Sequence, residues 1–224
     1  DDDIDIGMLR EEYEKFCKIA PEKLGEEFII QNSETDSGYG FQFTKIILKG
    51  TRWVERTSSN NMVKYNGIYM DVFPYDKICK NKLKQKIHYL KYQLVMGLIV
   101  MQYKYKFVKN FSLQQKVKRG IKFIPAKLIS RKRLLHWREI LCQKYEKSNI
   151  GVLVTKYAGN FYKNQNEVGV FTNLELHQFE DEQFYIPKGY DSVLTNLYGD
   201  YMTLPSQEKQ QGHEILEYDL NCDL

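Results

Sequence analysis

The sequence predicts an α+β fold that carries a basic helical insertion, and three observations predict it. Strand-like segments fill the first and last thirds, a long helical period lies between Asn81 and Tyr105, and charge is divided unevenly along the chain. The 224 residues are 42% hydrophobic, 14% aromatic and 28% charged, which excludes a disordered chain, a fibre or a disulfide-stapled miniprotein. A formal net charge of +4 conceals 20 basic and 2 acidic residues between Lys77 and Lys147, against 13 basic and 27 acidic elsewhere. Residues 1–224 therefore read as a single domain with a helical, basic insertion at about 77–147.

The elements follow in order. From Asp3 onward the opening residues alternate acidic and apolar, placing Asp3 and Asp5 on one face of a strand and Ile4 and Ile6 on the other, with Gly7 as its expected end. Leu9, Tyr13, Phe16 and Cys17 form the apolar stripe of a helix over Leu9–Lys18 that Pro21 is expected to limit. Further strands are expected at Glu27–Gln31, Tyr39–Leu48 and Gly67–Phe73, separated by the turn-rich Asn32–Gly38 and the polar Thr57–Asn61. Leu83, Ile87, Leu90, Leu94, Leu98, Met101 and Tyr105 recur at helical spacing, and a second helical stretch runs from Leu134 to Lys147. Val152–Tyr157 reads as a strand, Leu174–Phe179 and Gln183–Pro187 as a hairpin, and Asp191–Tyr198 as a short helix ended by Gly199. Tyr39, Phe41, Phe43, Phe179 and Phe184 are expected in the core, while Trp53 has no assigned role.

Some function classes drop out early. Cys17, Cys79, Cys142 and Cys222 form no C-x-x-C pair, so neither a zinc ribbon nor a redox pair is indicated, and a reducing, cytoplasmic compartment is expected. The longest apolar run, Leu94–Met101, is far short of the roughly 20 residues a membrane-spanning helix needs.

The acidic residues carry the chemistry. Asp3 and Asp5 project the same way on a strand, close enough to share a divalent cation, and their mutual repulsion favours one. Asp71 lies in the apolar run Gly67–Phe73, where burial without a partner is expensive. Hard oxygen ligands suit Mg2+ or Mn2+ shared with a substrate phosphate better than zinc. A solvated acidic cluster is the competing reading. A calcium loop is disfavoured, because Ile6 occupies the position where that loop needs glycine.

Five blocks, read together, resemble one family: Asp1-Asp2-Asp3-Ile4-Asp5-Ile6-Gly7-Met8, Phe43-Thr44-Lys45-Ile46, Gly67-Ile68-Tyr69-Met70-Asp71-Val72-Phe73-Pro74-Tyr75-Asp76, Phe184-Tyr185-Ile186-Pro187-Lys188-Gly189-Tyr190-Asp191, and Tyr198-Gly199-Asp200-Tyr201-Met202-Thr203-Leu204-Pro205, with His213 beyond. In this order they are similar to the LicD family of phosphocholine transferases, relatives of fukutin and fukutin-related protein. The resemblance implies a nucleotidyltransferase-like mixed sheet with flanking helices. It also implies transfer of a phospho-alcohol from a CDP-activated donor to a glycan or lipid-linked sugar. Carried over by position, Asp3, Asp5 and Asp71 become the metal-binding and catalytic acids, with Asp71 also accepting the proton of the attacking hydroxyl. Lys45, Asp200 and His213 become substrate-binding residues, against the simpler readings of a surface lysine, a turn residue and an exposed histidine. Family members carry an upstream glycine-containing segment, so the chain is expected to be N-terminally truncated and incompletely equipped to bind donor.

Two rival functions stay open: nucleotidyl transfer from an NTP, and a noncatalytic metal-binding or membrane-docking module. For the basic insertion, a solvated face competes with peripheral contact at an anionic membrane, on the inner face, whereas nucleic acid is not expected as a partner. His88, His136 and His177 lack metal-ligand spacing and read as structural or surface residues.

Overall fold

Alternation of apolar and polar residues along three strands organises the domain, because each strand offers one set of side chains to a helix and the other to a cleft. The computed structural model describes residues 4–56, 62–105, 126–148, 152–206, 210 and 212–221. Asp1 to Asp3, Thr57–Asn61, Cys222 and the basic stretch at 106–125, with Pro125, lie outside the described residues. The main sheet runs β1 (Asp5–Leu9), β5 (Tyr69–Cys79), β3 (Thr44–Leu48), β2 (Phe28–Gln31), and β6 (Val152–Thr155) joins the far half of β5. Only β1 is parallel to β5; β3 and β6 run antiparallel to it, so the sheet is mixed and the fold α+β as expected.

On one face of this sheet, Ile6, Met8, Ile30, Ile46 and Val72 meet Tyr13, Phe16, Cys17 and Ala20 of α1 (Arg10–Lys23). The foreseen stripe thus supplies the packing face. The helix nonetheless continues past Pro21 to Lys23. Near a C-terminus the missing N–H removes a single late hydrogen bond, which the packing of Ala20 outweighs. Gly7 does not end β1 either: it pairs with Phe73 inside the strand. Glycine is required there for another reason, since a Cβ would stand 2.7 Å from Tyr75 Cε2.

Where α1 begins, Arg10 forms two hydrogen bonds to Asp76, Nε to Oδ1 at 2.6 Å and Nη2 to Oδ2 at 2.9 Å, with Glu139 3.6 Å away. Burial pushes the Asp76 carboxyl up to about 6 despite this partner.

The opposite face is covered by α2 (Lys82–Gln102), which packs on α3 (Arg131–Cys142). Asn81 Oδ1 accepts from the Lys84 amide at the start of α2, and Ser130 Oγ does the same for Arg133 at the start of α3. The side of α2 that enters the core is Gln85, His88, Tyr92 and Ile99. The leucine stripe is not the buried face: Leu83, Ile87, Leu90 and Leu94 are exposed, although Tyr105 is buried.

Two further expectations are revised, and one pair of strands was not expected at all. The segment from Tyr39 becomes strand only at Thr44, because Tyr39, Phe41 and Phe43 turn inward as an aromatic cluster with Phe73 rather than alternating. The strands β4 (Arg52–Glu55) and β9 (Ile215–Asp219) pair antiparallel through partners 160 to 167 residues apart in sequence, invisible to a local pattern. In the hairpin of β7 (Leu174–Phe179) and β8 (Glu182–Pro187), Phe179 and Phe184 are exposed and pack edge-to-face on each other, so neither belongs to the core. Beside it are α4 (Val168–Thr172) and α5 (Tyr190–Tyr198), the latter closed as foreseen by Gly199 at φ 78°.

Candidate functional site

Strand register brings the expected residues abreast. Asp5 pairs with Asp71 across β1 and β5, and Asp71 pairs with Lys45 across β5 and β3. Directly paired residues share a face, and neighbouring strands lie about 4.8 Å apart, so two carboxylates and an ammonium form one row. Since Val72, Ile6 and Thr44 face α1, alternation obliges their neighbours Asp71, Asp5 and Lys45 to face away from it. They enter a cleft of about 790 Å³ beneath α2, within the size range of small-molecule sites.

Asp71 and Lys45 are both buried, with Lys45 Nζ 3.3 Å from Asp71 Oδ1 and above the Tyr69 ring. The costly buried acid therefore has a cationic partner. Asp5 is more open and meets Lys156, whose Nζ is 3.2 Å from its Oδ2 and 4.3 Å from the centre of the Phe73 ring. The row is thus balanced, each acid facing one lysine. Burial raises the phenol of Tyr75, beside Asp5, to about 12.

His213 also lines the cleft, at an exposed position. Asp200 is elsewhere, in the turn after α5, where its Oδ2 accepts a hydrogen bond from Thr203 Oγ1 at 2.7 Å. That bond is what the turn-residue reading of Asp200 requires. Asp3 lies outside the described residues. Among the described residues no three His, Cys, Asp or Glu side chains group as a metal site. Asp5 and Asp71 still match the donor set of Mg2+ or Mn2+, which bind through one or two carboxylates completed by substrate phosphate and water.

Two site residues were not foreseen. Lys156 directly follows β6 and carries no local signal; only the β5–β6 pairing brings it to Asp5. Glu55, buried on β4, accepts hydrogen bonds from Tyr69 Oη at 2.6 Å and Trp53 Nε1 at 3.1 Å and lines the cleft. These bonds also give Trp53 a place. The remaining wall includes the aromatic residues Phe43, Phe73, Tyr89, Tyr92 and Tyr157. His88 is structural, its Nε2 2.6 Å from Tyr157 Oη, and burial and then the charges of Lys144 and Lys91 lower its pKa to about 4.

Neither a protein-family profile nor a solved structure matches the chain. A curated relative does: the lipopolysaccharide cholinephosphotransferase LicD of Haemophilus influenzae is 28% identical, over 97% of this chain and 80% of its own length. Over nearly its whole length the chain is thus similar to a LicD protein. Asp5 and Asp71 lie on adjacent strands, and Lys45 on the next.

Proposed function

We propose that this chain is a transferase that moves a phospho-alcohol, with phosphocholine as its first candidate, from a CDP-activated donor to a hydroxyl of a cell-surface glycan or lipid-linked sugar. The observation that carries the reading is the register of Asp5, Asp71 and Lys45 at the floor of an aromatic cleft, in a chain similar to a cholinephosphotransferase. The reading carries with it a nucleotidyltransferase-like fold, of which the mixed sheet with flanking helices is the coarser part.

The roles follow from charge. Mg2+ or Mn2+ held by Asp5, Asp71 and Asp3 would supply positive charge to phosphate oxygens. Lys45 and Lys156, both beside the acids, bind the diphosphate of the donor and hold its reactive phosphorus over the row. The acceptor oxygen forms the new bond to that phosphorus, the bond to the CMP oxygen breaks, and CMP leaves with the electron pair. Asp71 takes the acceptor proton, and His213 at the rim passes it to solvent. Tyr89, Tyr92 and Phe73 line the cleft and give a cationic alcohol such as choline an apolar, water-excluding wall.

Incubating the chain with a panel of CDP-alcohols, Mg2+ or Mn2+ and a glycan acceptor tests the reading. CMP release that collapses in Asp71→Asn is expected. Release of pyrophosphate from an NTP would instead favour nucleotidyl transfer, and a folded chain without turnover would favour a noncatalytic module.

A further inference from the structure

Helix α2 has two apolar faces, and only one is used. At about 100° per residue, Gln85, His88, Tyr92 and Ile99 fall on the buried side, while Leu83, Ile87, Leu90 and Leu94 gather on the opposite side. These four are 68%, 48%, 52% and 58% exposed, an unbroken ridge about three turns long. Isolated exposed leucines need no explanation, but a continuous row of them does.

Charge selects what covers the ridge. Lys82 and Lys86 border one flank, Lys84 and Lys91 the other; all four are exposed, and α2 contains no acidic residue. An apolar ridge bracketed by lysines is the pattern of a helix lying in a lipid interface, with leucines among acyl chains and ammonium groups at anionic head groups. No helix among the described residues is long and apolar enough to cross a membrane, so the contact is lateral. A position on α2 between buried face and ridge adds a second argument: Gln93, Met96, Gly97 and Val100 line the cleft. The cleft wall therefore adjoins the ridge on the same helix, and seating the ridge on lipid brings the cleft to the membrane surface.

We infer that α2 docks the chain laterally on an anionic phospholipid surface through Leu83, Ile87, Leu90 and Leu94, with Lys82, Lys84, Lys86 and Lys91 as its electrostatic fringe. Docking needs neither donor nor turnover, so its failure and that of the transfer reading are separable. The test sediments the whole chain with vesicles of phosphatidylcholine alone or with about one-third phosphatidylglycerol, a charge density at which basic fringes bind strongly. Binding to the anionic vesicles only is expected, weakened by salt. It should fall at least about tenfold in Leu90→Ser/Leu94→Ser and in Lys86→Glu/Lys91→Glu. Thermal melts should match the parent, because the altered side chains are exposed. Equal binding to both vesicle types, no binding, or binding indifferent to the leucine pair would overturn the inference. So would concentration-dependent self-association without lipid that Leu90→Ser/Leu94→Ser abolishes, because a second copy would then own the ridge.

Discussion

The two faces of the central sheet are built from the same strands yet do opposite work. Val72 is fully buried against α1, whereas its neighbour Asp71 joins Lys45 and Asp5 in the cleft. One face spends its side chains on packing and the other tolerates buried charge, which has a stability cost that packing elsewhere must offset. The difference teaches that substitutions one residue apart on β5 should separate activity from stability.

The sharpest form of that comparison is also the largest effect. Asp71→Asn should lower CMP release by about 10³-fold or more while shifting the melting temperature by only a few degrees, since the amide keeps the shape. Val72→Ala should do the converse, costing roughly 2 kcal/mol in urea unfolding while kcat stays within a few-fold. Equal losses of both properties in both variants would erase the distinction between the faces. Asp76→Ala removes the partner of buried Arg10, and a loss of about 3–5 kcal/mol in urea titration is expected.

A smaller effect depends on pH. His88 has its pKa lowered from 6.5 to about 4 by burial, so the folded state holds the neutral ring. Stability from that preference is complete above 6.5 and disappears as pH falls towards about 4, where the folded ring also gains its proton. Asp76, raised to about 6 by burial, gains stability over much of the same fall in pH, so the check is a difference: the urea midpoint of the parent should fall with acid relative to that of His88→Gln. The smallest effect belongs to the hairpin: Phe184→Ser, at an exposed position, should change stability by about 0.5 kcal/mol or less. A larger cost would mean that this ring is packed after all.

Legibility in the sequence follows the same division. The α1 stripe was readable because Tyr13, Phe16 and Cys17 follow a local period, and the face of Asp5 because strand alternation is local too. The family blocks named Asp71 and Lys45, but only the pairing of β1, β5 and β3 makes them neighbours. On α2, periodicity marked the helix and its leucine stripe but not the buried face, since the core accepts polar Gln85 and His88. His88 enters with its Nε2 paired to Tyr157 Oη, while its buried Nδ1 has no hydrogen-bond partner among the described residues. Lys156 and Glu55 had no signal at all: each reaches the cleft through pairings of β5 with β6 and of β4 with β9, contacts that no local pattern encodes.

The most direct measurement is titration of Mn2+ into the chain, followed by electron paramagnetic resonance, with and without CDP-choline. Binding strengthened by the donor, and lost in both Asp5→Asn and Asp71→Asn, is the result expected if the two abreast acids hold the ion that the donor phosphates also touch. Donor-strengthened binding that survives in both variants would contradict that account, because the ion would then reside elsewhere.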